Sequence, residues 1–216
     1  MNQRWKVAQK LELWWWQHYL KGKDKAAYLE AKSTYWQRVL ATLSLSMPAD
    51  AKILDAGCGP AGIFIVLKNY QVDALDPLID KYEQYLLHFK KEQYPSVQFY
   101  NQSLENFEIK KQYDVIFCMN AINHVSDVKA SFDTLMAVLA TNGHLIMAVD
   151  VHRYSVLKTI FRAIPGDVLH PHQHSLADYM QIVERGKGQV LKTIHLKEGK
   201  IFDYVVMLIQ KQTSHF

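Results

Sequence analysis

Apolar residues recur in two rhythms along this chain. Between residues 2 and 45 they return every three or four positions, with Tyr28, Tyr35, Trp36, Val39, Leu40 and Leu43 falling on one helical stripe. The pattern predicts two helices broken at Gly22 and Asp24, with Asp24 as N-cap of the second and Pro48 closing the region. From residue 52 the rhythm changes to short apolar runs separated by amphipathic stretches. These predict strand 52–55, helix 61–69, strand 71–75, helix 78–92, strands 97–100 and 113–118, helix 127–139 and strand 143–149. Val115 to Met119 and Leu145 to Val149 are apolar at every position, as strands are when helices cover both faces of a parallel sheet. The alternation predicts right-handed βαβ units.

Beyond residue 150 the pattern predicts a short amphipathic helix carrying Leu157, Ile160, Phe161 and Ile164, then a Pro- and His-rich loop from Pro165 to His174. A further helix opens at Ser175, where Asp178 stands at capping-box spacing. Strands 189–196 and 201–210, joined through Lys197 to Lys200, read as a terminal hairpin.

Composition narrows the function classes. With 216 residues, 49% hydrophobic and 21% charged, the chain can bury a full core as one domain without disulfides. Its formal charge is +4, from 25 basic and 21 acidic residues, and no basic run stands out, so nucleic acid is not an expected partner. Cys58 and Cys118 read as reduced thiols of a cytoplasmic protein. No apolar run approaches the roughly 18 residues of a membrane span, and the first ten residues have no signal-peptide core. Five tryptophans and ten histidines are the unusual features.

The chemistry concentrates in the run from Ile53 to Gly62, where a strand ends in Asp55-Ala56-Gly57-Cys58-Gly59-Pro60-Ala61-Gly62. Gly57 and Gly59 allow a tight turn and a close backbone approach to a ligand. As a bare G-x-G-x-x-G, the run suits a dinucleotide or a nucleoside. Asp55, two residues upstream, suits a cationic group better than a pyrophosphate. Asp76 follows the second strand, where an acid can accept both hydroxyls of a ribose.

The stretch Ile53 to Leu67 resembles the first motif of class I S-adenosylmethionine-dependent methyltransferases, and Val72 to Pro77 resembles their second. Tyr113 to Asp127 is similar to the strand-four motif, and Phe132 to Asp150 to the helix and strand that follow. The resemblance implies a three-layer α/β/α, doubly wound, mostly parallel seven-stranded sheet closed by the antiparallel hairpin. Within this single domain, residues 1–47 would form a helical cap, 48–150 the cofactor-binding half, and 151–216 the substrate loop, helix and hairpin. It implies S-adenosylmethionine as cofactor. Asp55, Gly57 and Gly59 would meet its methionine part, Asp76 its ribose, and Pro77 its adenine, with Cys58 a further cofactor-binding residue. Where the family often carries an acid after strand three, this chain has Gln102 and Ser103, and the Gln102 carbonyl can take the adenine amino group. Asn120 would line the site near the sulfonium.

For an oxygen or nitrogen acceptor, a base poised near neutral pH is useful, and histidine is the usual choice. His124 follows strand four at the ligand-binding edge, while His170 and His172 sit in the loop expected above the same edge. The expected partner is a small-molecule acceptor. The His-rich loop lacks the closed ligand spacing of a structural zinc site, so no metal is expected. Trp5, Trp14, Trp15, Trp16 and Tyr19 cannot share one helix face, so the N-terminal helices read as lid or core, with a homodimer contact as alternative. Two other readings remain at this stage. One is a nicotinamide-dependent oxidoreductase, for which Tyr154 and Lys158 have the Tyr-x-x-x-Lys spacing, and the other is a non-catalytic module on the same fold.

Overall fold

A computed structural model describes residues 3–152, 175–197 and 202–212 of the chain. Two helices open it, α1 (Gln3–Leu20) and α2 (Lys25–Leu43), and the Asp24 carboxylate caps α2 by accepting the Ala27 N–H at 2.9 Å. The strands are β1 (Ile53–Ala56), β2 (Val72–Leu75), β3 (Val97–Tyr100), β4 (Tyr113–Met119), β5 (Leu139–His152), β6 (Gly188–Lys197) and β7 (Phe202–Lys211). Helices α3 (Ile79–Tyr85), α4 (Val128–Val138) and α5 (Leu176–Arg185) lie between them.

The seven strands form one sheet in the order β3-β2-β1-β4-β5-β7-β6. The first five are parallel, while β7 runs antiparallel to both β5 and β6. This is the doubly wound, mostly parallel seven-stranded sheet with a terminal hairpin that the sequence implies. Residue alternation along β1 divides the core in two. Ile53 packs on the face covered by α1, α2 and α3, whereas Leu54 and Ala56 pack on the face covered by α4 and α5. Strand order reverses between β1 and β4, so ligands are expected above the carboxyl ends of these strands. Among the described residues, no helix is long and apolar enough to cross a membrane.

Three expected elements differ. Helix 61–69 is replaced by two 3-10 turns, Gly59–Ala61 and Ile63–Val66. Gly62 sits so close to the Asp55 carboxylate and the Cys58 carbonyl that a Cβ there would collide with both, and Asp55 Oδ2 accepts the Phe64 N–H at 3.1 Å. The buried carboxylate thus organises this segment in place of a helical ladder. Helix 78–92 ends at Tyr85, because the chain turns inward to bury Leu86 and Phe89; the Phe89 ring then stacks on Tyr94 and meets Phe64 and Phe99 edge-on. Strand β5 starts at Leu139, four residues early, through an irregular register opposite Tyr113 and Val115. The capping box at Ser175 and Asp178 is present. The amphipathic stretch 157–164 and the His-rich loop lie outside the described residues.

Candidate active site

The Gly-rich turn leaves β1 between the carboxyl ends of β2 and β4. Its backbone is anchored by the Leu75 carbonyl, which accepts the Gly57 N–H at 2.7 Å and the Cys58 N–H at 3.1 Å. Gly57 has φ +71°, and any Cβ there would overlap the Cβ of Ala121 in the segment after β4. Only glycine satisfies both the left-handed backbone and the close approach of the two loops. The Asp76 carboxylate bridges this turn to the next, since Oδ2 accepts the Gly59 N–H at 2.9 Å and Oδ1 the Leu78 N–H at 2.8 Å. Each carboxylate oxygen keeps lone-pair capacity for a ligand donor.

These loops floor a cavity of about 780 Å³. Of the residues expected at the cofactor, Gly57, Cys58, Gly59, Asp76, Pro77, Gln102, Ser103 and Asn120 line it. Asn120 has φ +56° and donates its N–H to the Ala148 carbonyl, which turns the backbone at the end of β4 toward the cavity. Asp55 departs from the expected direct contact. It is 2% exposed beneath the turn and is not part of the cavity wall, so it holds the Ile63–Phe64 backbone in place. Burial pushes its carboxyl up to about 7, against backbone hydrogen bonds from Phe64 and Ile63 that act the other way. Asp76 is also shifted up, by burial first and then by the carboxylate of Glu12. Burial raises the Cys58 thiol well above its ordinary value, with Asp76 and Asp55 adding to the shift, so this cysteine is a neutral wall residue.

His124 ends a short 3-10 turn, Ile122–His124, and lines the same cavity. His170 and His172 lie outside the described residues, as do Tyr154 and Lys158. Among the described residues, no group of His, Cys, Asp or Glu is placed to hold a metal ion.

The far side of the cavity comes from residues that sequence reasoning gave no ligand role. Helix α1 supplies Gln9, Glu12, Trp15 and Trp16, and α2 supplies Lys32, Tyr35 and Trp36. The Trp36 indole N–H donates to the Ala61 carbonyl at 3.0 Å, tying α2 to the Gly-rich turn. Asp150 at the end of β5 and Tyr204 on β7, paired across the sheet, close the remaining wall, and the phenol of Tyr204 hydrogen-bonds to that of Tyr35. Lys32 is drawn below its usual pKa, mainly by burial. The signals were present but weak. Glu12 is the sole acid of α1, and Asp150 stands near the end of a strand at the ligand edge.

A nucleoside carrying an amino-acid arm fits this arrangement. The glycine turn is open on its cavity side, an acid stands at the end of β2, and a solvent-inaccessible amide nitrogen of Gln9 lacks any acceptor. Comparison with known proteins agrees with the fold, for residues 28–206 match the methyltransferase domain family.

The chain belongs to that family. Over 102 residues it is 29% identical to the ubiquinone biosynthesis O-methyltransferase of Rickettsia bellii, a match spanning 46% of this chain and 42% of that relative. It therefore covers less than half the length of this curated methyltransferase. Among solved structures, the N-methyltransferase NodS of Bradyrhizobium japonicum, in complex with S-adenosyl-L-homocysteine, superposes with a TM-score of 0.65 at 13% identity. That superposition covers 98% of this chain and all 100% of NodS. The cyclase SpnF superposes with a TM-score of 0.64 at 11% identity, covering 84% of this chain and 81% of that one. At these identities the structural likeness concerns the fold, and methyltransferase folds host more than one chemistry.

Proposed function

We infer that this methyltransferase-family chain transfers a methyl group from S-adenosylmethionine to an oxygen or nitrogen of a small-molecule acceptor. The observation that carries the reading is one cavity with two unlike halves. A glycine turn pinned to Asp76 forms one half, while His124, Asp150 and an aromatic wall from α1 and α2 form the other. When bound, S-adenosylmethionine supplies an electrophilic methyl on a sulfonium sulfur.

The chain's own part is alignment and exclusion of water. Asp76 accepts the ribose hydroxyls, the backbone of Gly57 to Gly59 leaves room for the methionine arm, and Pro77, Gln102 and Ser103 border the adenine. Asn120 sets the wall beside the sulfur. Asp55 acts on the ligand only through the turn it braces. His124 takes the acceptor's proton on an imidazole nitrogen, with His170 and His172 as further candidates. Trp15, Trp16, Trp36, Tyr35 and Tyr204 bound the acceptor space and shut out solvent. Two buried, unpaired cysteines suit a reducing cytoplasmic setting.

The test is transfer of labelled methyl from S-adenosylmethionine into fractionated small-molecule extracts, followed by the His124→Gln variant on the acceptor found. Turnover should fall on the order of 10²-fold with S-adenosylhomocysteine affinity unchanged. Unchanged turnover removes His124 from the reaction. Failure of the wild-type protein to bind S-adenosylhomocysteine rejects the cofactor itself.

A further inference from the structure

The matched family span starts at residue 28, after α1 has ended at Leu20, yet α1 forms a large part of the cavity wall. Its inner face carries two polar groups that a merely covering helix would not need. Glu12 is partly buried, and its carboxylate accepts from the Tyr82 phenol at 3.2 Å and from the Trp16 indole. No cation is paired with it among the described residues, and its charge acts on the carboxylate of Asp76, with which it lines the same cavity. Gln9, one helical turn earlier, has an amide nitrogen closed off from solvent and bonded to nothing. A buried donor without a partner is unfavourable unless a ligand supplies the acceptor. Two carboxylates in one cavity wall without a paired cation are likewise unfavourable until donors come between them.

Resting on the cofactor reading above, we propose that α1 supplies a second nucleoside-binding acid, Glu12, which shares the ribose diol with Asp76 while Gln9 donates to the same nucleoside. Asp76 approaches the diol from the sheet edge and Glu12 from the lid. Each takes a hydroxyl, and Tyr82 and Trp16 keep Glu12 in place for it. The helix thereby closes on the cofactor by direct hydrogen bonds as well as by apolar contact, and α1 docking becomes coupled to cofactor occupancy.

A proton accompanies this coupling. Burial holds both acids above their ordinary pKa values, the Glu12 charge adds to the shift at Asp76, and a carboxyl that keeps its proton cannot accept from both sides. The groups facing the pair are Asp55 beneath the turn, the Cys58 thiol and the Tyr82 phenol, none of them cationic. Binding therefore expels protons near neutral pH, and affinity rises with pH through that range.

Calorimetry with S-adenosylhomocysteine and 5′-methylthioadenosine, which keeps the ribose but lacks the amino-acid arm, tests the proposal. In Glu12→Gln the amide oxygen still accepts from Tyr82 and Trp16, so α1 stays docked. The variant should bind both probes about tenfold more weakly and lose most of the wild-type protein's pH dependence and buffer-dependent binding heat. Equal affinity of variant and wild type for both probes overturns the proposal. So does weakening toward S-adenosylhomocysteine alone, which would place Glu12 at the amino-acid arm. An unchanged pH dependence in the variant overturns the proton coupling. If the wild-type protein binds neither probe, the cofactor reading itself has failed; if it binds both and only the Glu12 effects are missing, that reading stands.

Discussion

Asp55 and Asp76 are the same residue type at the ends of adjacent strands, and their surroundings give them different work. Asp76 faces the cavity with lone pairs to spare, while Asp55 is spent on the backbone beneath the turn. Replacing Asp76 with Ala releases the Gly59 and Leu78 N–H groups and, on the proposed ribose contact, removes its charged partner. The expected loss is about 1.5–3 kcal/mol of S-adenosylhomocysteine binding free energy, measured by calorimetry. Asp55 shows itself in stability. A carboxyl raised from 3.8 to about 7 binds more protons folded than unfolded, so its favourable contribution is complete below about pH 4 and is lost as pH rises through 7. The melting temperature of the ligand-free protein should therefore fall between pH 5 and pH 8. In Asp55→Asn, a neutral near-isostere, the fall should be smaller, with the remainder due to Asp76 and Glu12. An identical pH profile in the variant would show that Asp55 does not titrate in this window.

At the scale of elements, the two N-terminal helices have separable tasks. Helix α2 is fixed to the sheet by buried Tyr28, Trp36, Val39 and Leu43, and it steadies the cofactor turn through the Trp36–Ala61 hydrogen bond. Trp36→Phe keeps most of the apolar contact and removes the donor, leaving a buried carbonyl short of a partner. Stability should drop by about 1–2 kcal/mol, with weaker cofactor binding from a looser turn. Denaturant unfolding and calorimetry on one preparation would read both, and an unchanged cofactor affinity would show that the turn holds its shape without α2. Helix α1 keeps Val7, Leu11 and Trp14 on its exposed side, while Gln9, Glu12 and Trp16 look into the cavity. That division explains why its tryptophans follow no single stripe. The helix has a ligand-facing side that is partly polar and an outer side that is partly apolar, so ordinary amphipathic logic misreads it.

For the whole molecule, the consequence of one cavity spanning sheet edge and helical cap is that ligand occupancy should stabilise the entire fold. At a concentration of one hundred times Kd, S-adenosylhomocysteine should add about 2.7 kcal/mol, or roughly 5–10 °C in Tm for a chain of this size. NADH at the same concentration should leave Tm unchanged. A shift with NADH and none with S-adenosylhomocysteine would favour the oxidoreductase reading over methyl transfer.

The sequence by itself determined the architecture and which loops of the sheet edge line the cavity. Strand burial on both faces, the turn chemistry at Gly57 and the acid after β2 are local demands, so they leave local marks in residue type and spacing. The N-cap at Asp24 and the capping box at Ser175 were legible for the same reason. Only tertiary structure decided that the segment after the Gly-rich turn is two 3-10 turns, because a buried Asp55 and the crowding at Gly62 outweigh its apolar helical pattern. Tertiary structure also cut α3 short, since Phe89 gains more by joining the cluster with Phe64, Tyr94 and Phe99 than by extending a helix. The far side of the cavity was hidden for a related reason. Glu12, Lys32, Asp150 and Tyr204 come from four separate elements, and no spacing along a chain records which distant faces a sheet edge will bring together.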